Sequence, residues 1–363
     1  MTIVVSRDAE GVAYLETGDD QAARARRWHR RAMAQRVAYA FSRPDDRLMR
    51  GDRVVYHRVT ACGKARSDVD DVVVKMVDGK AVAGGLMSCG SIWACPTCSL
   101  KIRVRRRFEL EAAARRHVLG GGRLAMLTLT VRHREAMPLV QTLAALSEAW
   151  RLMSNRTGWR KLYCSTVGYV RSVEITYGEA GWHPHFHVLL FVKPGVGEAE
   201  VSLLTNGLFD SWAAGARSVL GVSPTAERGL DLAWFGDDAE SAALYVSKAA
   251  AEITQADSKS GRDPFALLDE NNFDDAERFH EYATSTVGLK AITWSRGLRA
   301  RLELAPELPD TEVAQDDEDV GESVMRVPGR DWNRLDVVGR LAVLEACEFR
   351  YRFGLGAPRD FTG

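Results

Sequence analysis

Residues 169–192 read YVRSVEITYGEAGWHPHFHVLLFV, and this stretch predicts a β-hairpin. The runs on either side of residues 178–181 are rich in β-branched, aromatic and aliphatic residues, and GEAG itself has the composition of a turn. Side chains of a strand alternate between its two faces, so His183, His185 and His187 are expected on one face. The stretch therefore predicts a strand surface lined by three imidazoles.

The pairing of the two strands brings a carboxylate to that surface. An antiparallel hairpin that turns at residues 178–181 places Glu174 opposite His185 and Ser172 opposite His187. Such partners lie about 4.5–5.5 Å apart at Cβ, so Glu174, His185 and His187 can hold one divalent cation, Mg²⁺ or Mn²⁺, with open coordination positions. A one-residue slip in register would destroy the arrangement. The alternative is a polar strand face that only meets water or another strand.

The length and composition are those of a globular protein. With 363 residues the chain can form one large or two ordinary domains. The N-terminal residues carry no apolar signal segment, and no apolar run approaches the length of a membrane span. A soluble, cytoplasmic protein with reduced cysteines and no membrane partner is expected.

Charge is unevenly distributed although the formal net charge is zero. Residues 303–322 contain nine acidic residues and no basic one, so the remainder has nine basic residues in excess. Arginines cluster in residues 24–36 and in KIRVRRR at 101–107. Such clusters suit a polyanion and predict DNA contacts, here by Arg103, Arg105, Arg106 and Arg107. Solvated helix faces are the alternative.

The cysteine spacing predicts a structural zinc site. CGSIWACPTC at 89–98 contains a C-x-x-C pair with a third cysteine six positions upstream, and Cys62 is available as a fourth ligand. The expected set is therefore Cys62, Cys89, Cys95 and Cys98, since four thiolates form a closed tetrahedral zinc site. Redox chemistry competes for any C-x-x-C, but no βαβ pattern surrounds this one.

Hydrophobic periodicity and turn residues predict the approximate positions of strands and helices along the chain. Short strands are expected at 53–61 and 71–77, a central strand at 124–131, and helices at 21–40, 99–119, 138–156, 200–220 and 239–254; Cys164 is expected to be buried. The predicted domains are a basic arm (1–50), a zinc module with its basic helix (51–120), a catalytic domain (121–302), an acidic linker (303–330) and a C-terminal helix (331–363).

The predicted helix at 239–254 carries two residues of chemical interest. Tyr245 and Lys248 are three positions apart and fall on one helix face, so they can act together. A core tyrosine and a surface lysine in an ordinary helix are the alternative.

These motifs together resemble a known family. His185-Phe186-His187 is a histidine, hydrophobic residue, histidine pattern, with LTLTVRH upstream and ALYVSK downstream. In this the chain resembles the plasmid rolling-circle replication initiators of the HUH endonuclease superfamily, of the actinobacterial type. The resemblance extends from about Cys62 to Arg299.

The resemblance implies a fold, a function and roles for single residues. The fold would be α+β, with a central antiparallel sheet of the HUH type flanked by helices and an N-terminal zinc-binding module with four cysteine ligands. His185 and His187 would be metal ligands, Tyr245 the nucleophile that nicks one strand at the plasmid origin, and Lys248 its basic neighbour. The expected partners are double-stranded and single-stranded origin DNA, a host helicase and a DNA polymerase.

Two other functions are compatible with the sequence. A relaxase or transposase would use the same HUH chemistry for a different purpose. A non-catalytic, zinc-dependent DNA-binding regulator would have an inert tyrosine. Metal-dependent nicking of a supercoiled plasmid distinguishes the regulator from the enzymes.

Overall fold

Helices and antiparallel strands alternate along the chain, which confirms the predicted α+β class. The computed structural model describes residues 3–7, 13–17, 21–41, 55–135, 137–235, 261–315 and 321–355. The strands are β1 (Ile3–Arg7), β2 (Ala13–Thr17), β3 (Asp71–Val77), β4 (Lys80–Gly84), β5 (Arg123–Thr130), β6 (Thr166–Gly178), β7 (Gly181–Val192), β8 (Leu230–Phe235), β9 (Ile292–Trp294) and β10 (Glu322–Pro328).

The helices of the described residues begin and end as follows: α1 (Gln21–Ala40), α2 (Val55–Ala61), α3 (Pro96–Leu119), α4 (Leu139–Ser154), α5 (Thr157–Cys164), α6 (Glu198–Asn206), α7 (Phe209–Leu220), α8 (Ala226–Gly229), α9 (Phe273–Ser285), α10 (Leu298–Arg301), α11 (Asp310–Gln315), α12 (Gly329–Arg334) and α13 (Val337–Arg352). A 3₁₀ turn covers Pro264–Leu268. Among these helices, none combines the length and apolar character needed to cross a membrane.

The chain divides into two compact units. Unit 1 comprises residues 1–102, 268–280 and 308–363, and unit 2 comprises residues 103–267 and 281–307. The division falls inside α3 and inside α9, so each of these helices contributes residues to both units.

Unit 2 is built on a five-stranded antiparallel sheet. Its strand order is β8-β5-β7-β6-β9, so β5 has hydrogen-bonded neighbours on both sides and is a central strand, as predicted. One face packs on α3, because Leu110 and Ala113 share a buried cluster with Val170 and Leu189. On the other face, Phe186 contacts the rings of Trp150 in α4 and Trp212 in α7. Helices thus flank both faces of the sheet.

The hairpin β6–β7 has the predicted register. Glu174 is opposite His185 and Ser172 is opposite His187. The strands continue to Gly178 and Gly181, so the loop is two residues rather than four. Because the pairing extends symmetrically into the predicted turn, the longer strands leave the register unchanged.

Unit 1 contains a three-stranded antiparallel sheet of order β10-β3-β4. The sequence of β3, DVVVKMV, alternates, and its buried positions are Val72, Val74 and Met76. Trp332 of α12 and Leu344 of α13 pack on these side chains. Strands β1 and β2 pair separately as an antiparallel hairpin.

The strand predicted at 53–61 is wrong, because Val55–Ala61 forms helix α2. The side-chain amide of Gln35 in α1 donates to the carbonyls of Val59 and Cys62, at 3.0 and 2.7 Å. These bonds satisfy carbonyls that the end of a helix leaves open. Tertiary contacts therefore override the strand preference of the β-branched residues in this segment.

The stretch predicted as a linker, 303–330, contains helix α11 and strand β10. Met325 and Val327 alternate toward the core of unit 1 and are buried, because β10 pairs with β3. The acidic composition of residues 303–322 favoured the linker prediction and obscured the short apolar alternation of Met325 and Val327. Residues 316–320 lie outside the described residues.

The single C-terminal helix predicted at 331–363 is instead the pair α12 and α13. The helical structure is interrupted between α12 and α13. The carboxylate of Asp336 accepts a hydrogen bond from the backbone N–H of Gly339 at 2.8 Å and caps α13. An aspartate at this position is a strong helix start. Residues 356–363 lie outside the described part of the chain.

Two details of unit 2 also differ from the prediction. The helix expected at 200–220 is two helices, since α6 ends before Gly207 and the buried Leu208 precedes α7. Cys164 is exposed rather than buried. It is the last residue of α5, whose apolar side is formed by the buried Trp159 and Leu162.

Candidate metal centre

Glu174, His185 and His187 meet on one face of the hairpin, as the sequence predicts. The Nε2 atoms of the two histidines and Oε2 of Glu174 lie 2.9 Å from one another in each of the three pairs. Their side chains are only 11–13% exposed. Three potential ligand atoms therefore converge on one point in a mostly dry environment.

The surroundings orient the two imidazoles differently. Thr128 of β5 is opposite His187 in the sheet, and its hydroxyl lies 3.2 Å from His187 Nδ1. Such a contact on the outer nitrogen leaves Nε2 free to act as a ligand. The outer nitrogen of His185, Nδ1, is buried without a hydrogen-bond partner in the described structure.

The electrostatics of the cluster keep the carboxylate charged. Burial on its own would raise the pKa of Glu174, but hydrogen bonds with His185 and His187 lower that pKa to about 2. The carboxylate is therefore ionised throughout the neutral range, which is the form a metal ion binds.

The spacing of the three donor atoms fits a six-coordinate divalent cation. Octahedral Mg²⁺ has bonds of about 2.0–2.1 Å, so adjacent ligands are about 2.9 Å apart. The three observed separations of 2.9 Å match one triangular face of such an octahedron. Two histidines and one carboxylate are a recurrent facial ligand set that leaves other positions open. Glu174, His185 and His187 thus fit a cation with room for a substrate oxygen.

A third and a fourth histidine lie beside this triad. His183 is outside the triad, but its ring is stacked on the ring of His133 at 4.6 Å between centroids and 23° between planes. Burial and the neighbouring charges of His185 and His133 lower the pKa of His183 to about 4. His133 is not among the residues that the sequence predicts for this site. The available signal was its place in VRHR, directly after the central strand β5.

The four predicted zinc ligands also meet, in unit 1. Cys62, Cys89, Cys95 and Cys98 are buried, and their sulfur atoms all lie within 4.8 Å of one another. Three of the sulfur pairs are 3.6 Å apart. A tetrahedral zinc with Zn–S bonds of about 2.3 Å has sulfur atoms about 3.8 Å apart. The cluster therefore fits a closed four-thiolate site.

The chain around the thiolates explains how they meet. Cys62 follows directly after α2, and Cys98 lies in the first turn of α3. The hydrogen bond with Cys62, together with burial, raises the pKa of Cys95. The neighbouring thiols and burial raise the pKa of Cys89 as well, so a bound metal ion would supply the charge that favours these two thiolates.

The predicted DNA-binding arginines of α3 differ in availability. Arg105 is 49% exposed and lies 3.6 Å from Glu109, whereas Arg106 is 4% exposed and forms ion pairs with Glu109 and Glu307. Arg107 pairs with Glu111 at 2.9 Å, and Arg103 is partly buried. Of the four, Arg105 is the most accessible cation.

The predicted nucleophile, Tyr245, and its neighbour, Lys248, lie outside the described residues. Their positions relative to the triad are therefore not part of the observed geometry.

Comparisons with known proteins place these motifs in context. The sequence profile of the Replication protein family matches residues 87–212, a range that contains the whole triad. A Protein rep from Streptomyces lividans is 30% identical over 308 residues, which cover 64% of this chain and 67% of the relative.

Other relatives match a shorter part of the chain. A Neomycin resistance protein from Streptomyces cyanogenus is 32% identical over 153 residues, or 34% of this chain and 35% of that protein. A Protein rep from Bacillus amyloliquefaciens is 36% identical over 105 residues, or 27% and 29% of the two chains. The chain thus spans about a third of each of these two relatives. No solved structure matches the chain.

Proposed function

The chain belongs to the family of plasmid rolling-circle replication initiators, and on that premise we propose that it nicks one strand of its plasmid origin with Tyr245 as nucleophile. The nick leaves a 3′-hydroxyl that primes synthesis of a new strand. Residues 121–302 would form the catalytic domain, with an HUH-type sheet at its centre.

The observation that supports this proposal best is the triad. Glu174, His185 and His187 occupy one face of a hairpin, with ligand atoms 2.9 Å apart and a carboxylate that is charged at neutral pH. Mg²⁺ or Mn²⁺ bound there would polarise the scissile phosphate and stabilise the charge that develops on it. The role of the three residues is to hold the cation and leave its remaining positions to the DNA.

The covalent step uses the side chain of Tyr245. Its phenolic oxygen bonds to phosphorus while the bond from phosphorus to the 3′-oxygen breaks. The phenol loses its proton, and the departing 3′-oxygen gains one. The products are a 5′-phosphotyrosine link and a free 3′-hydroxyl, and the energy of the ester is kept for later rejoining.

Lys248 would assist this step. A tyrosine hydroxyl has an ordinary pKa of about 10 and is a weak nucleophile at neutral pH. Lys248 is three positions after Tyr245 in the sequence, and on the predicted helix its ammonium group would favour the phenolate.

The remaining parts serve binding. We assign structural zinc to Cys62, Cys89, Cys95 and Cys98, and contacts with the duplex origin to the basic helix α3. Single-stranded origin DNA would bind at the triad. Extension of the 3′ end would then depend on a host helicase and a DNA polymerase.

The arginines of α3 provide a graded prediction about DNA affinity. Arg105→Ala should flatten the slope of log K against log salt for duplex origin DNA by about one unit, since each phosphate contact contributes about that much. Arg106→Ala should leave the slope within error of wild type, because that side chain is buried against Glu109 and Glu307 and does not reach a phosphate. Titrations by fluorescence anisotropy at several salt concentrations measure both slopes. If Arg105→Ala and the wild type have equal slopes, the exposed face of α3 is solvated and does not contact DNA.

Nicking of the supercoiled plasmid that carries this origin tests the proposed function. The protein with Mn²⁺ or Mg²⁺ should yield open circles whose nicked strand has a free 3′-hydroxyl and a 5′ end blocked by protein. A chelator should prevent both. Binding without any nicking would favour the regulator, and nicks with a free 5′-phosphate would exclude a tyrosine nucleophile.

A further inference from the structure

Three exposed cations of unit 2 have no use in the chemistry described above. They are Arg132, Arg134 and Lys290. Within the described residues, none of the three makes an ion pair or a side-chain hydrogen bond. By contrast, Arg106, Arg107 and Arg123 of the same unit are paired with carboxylates. The three free cations therefore remain available to a ligand.

Arg132 and Arg134 lie on the β5 side of the triad. β5 ends at Thr130, whose partner across the sheet is the ligand His185. The next residues run beside the hairpin, because the ring of His133 stacks on that of His183. This stack fixes the middle of the segment, so the two arginines on either side of His133 are held at the edge of the site.

Lys290 lies just before β9, which is the neighbour of β6 on the opposite side of the sheet. β9 pairs with β6 through Ser172 and Ile292, and the backbone N–H of Val173 donates to the carbonyl of Ala291 at 2.9 Å. Lys290 directly precedes Ala291, and Val173 directly precedes Glu174, so Lys290 belongs to the segment that meets β6 next to the metal face. The strand order β5-β7-β6-β9 therefore places cations on both flanks of the metal face.

We propose that Arg132, Arg134 and Lys290 form a phosphate-binding subsite, which holds the single-stranded DNA backbone on both sides of the scissile phosphate. This proposal rests on the proposed nicking function and names its substrate contacts. Phosphate contacts fix the position of a strand without reading its sequence. The role of these cations is positioning, and they do not take part in bond cleavage.

The dimensions suit a single strand. β5 and β9 are separated by three strand spacings, which is about 14 Å. One strand of DNA carries a phosphate about every 3.4 Å along a helix axis and less densely when extended, so several phosphates fit between the two flanks. The triad is only 11–13% exposed, so a phosphate must descend between the cations to reach it. A flexible single strand can do this more easily than a stiff duplex.

The chain offers a matched control on the other side of the sheet. Arg156, Arg160 and Lys161 are also exposed cations of unit 2 without a partner in the described structure. They belong to α5 or its N-terminus, and α5 packs through Trp159 on Tyr169. Tyr169 alternates with Glu174 and lies on the opposite face, so replacing these three residues changes the charge equally but away from the triad.

Binding in a non-cleaving background tests the subsite. Full-length protein with Tyr245→Phe is titrated with a single-stranded oligonucleotide spanning the origin nick, in chelator, at several salt concentrations. Changing Arg132, Arg134 and Lys290 together to Gln should flatten the slope of log K against log salt by about 2 units, since each contact with a single strand contributes about 0.7. The Gln triple variant of Arg156, Arg160 and Lys161 should retain the slope.

A change of opposite sign completes the test. Glu135 is the exposed carboxylate of the segment after β5, so Glu135→Gln should tighten binding. An unchanged slope for the subsite variant, or equal flattening by the α5 variant, would overturn the subsite. Either result, together with nicking by the wild-type protein, would leave the proposed function standing. The expected flattening by the subsite variant, combined with a wild-type protein that never nicks, would defeat the function and not the subsite.

Discussion

Replacing His185 or His187 with alanine should reduce origin nicking by about a thousandfold or more while leaving DNA binding nearly intact. Each change removes one of three ligands and leaves the cation without its facial set. A loss of several kcal/mol of transition-state stabilisation corresponds to an effect of this size. Nicking of supercoiled plasmid gives the rate, and anisotropy with an origin duplex gives the binding.

A direct measurement of metal binding distinguishes a metal ligand from a residue that only lies nearby. Isothermal titration with Mn²⁺ should show one site in the wild type and a strongly weakened site in both alanine variants. Glu174→Gln should behave like them, because the amide keeps the shape but loses the charge. His183→Asn is the matched control, since His183 lies on the same strand face but outside the triad. Nicking by the His185 and His187 variants at the wild-type rate would mean that the metal site is elsewhere.

Loss of a single thiolate should have the second large effect, on the folding of unit 1. Cys95→Ser and Cys98→Ser should each release about one equivalent of zinc and lower the free energy of unfolding by about 3 kcal/mol or more, because metal binding and folding are coupled in such sites. The cysteines join the end of α2 to the start of α3, so the cost should fall on unit 1.

Zinc content by mass spectrometry and chemical unfolding measure these two outcomes. Cys164→Ser is the control, because Cys164 is exposed and outside the cluster. It should retain both the zinc and the stability of the wild type. The zinc assignment fails if Cys95→Ser and Cys98→Ser retain a full equivalent of zinc.

The triad and the thiolate cluster could be predicted from sequence because each depends on local rules. The alternation of a strand and the symmetry of a short turn fix the position of Glu174 opposite His185. The spacing within residues 89–98 brings three cysteines together without any knowledge of the fold. Cys62 was identified as the remaining cysteine near the motif, and its place at the end of a helix was not foreseen.

What escaped prediction depends on contacts between distant segments. The burial of Arg106 requires Glu307, about two hundred residues further along the chain. The backbone hydrogen bond from Val173 to Ala291, which brings the segment of Lys290 to β6, requires the strand order of the sheet, and periodicity does not reveal that order. Helix α2 formed against its local preference because Gln35 of another helix satisfies its last carbonyls.

The attachment point of the covalent adduct tests the central claim most directly. A single-stranded origin oligonucleotide is incubated with the protein and Mn²⁺, the mixture is denatured, and the DNA-linked peptide is identified by mass spectrometry. The adduct should map to Tyr245, and Tyr245→Phe should abolish it while preserving binding, because only the nucleophilic oxygen is removed. Tyr282 is fully buried, and burial raises its pKa, so it is a poor alternative nucleophile. Attachment at Tyr39, Tyr163, Tyr177 or Tyr282, or cleavage without any adduct, would contradict the account.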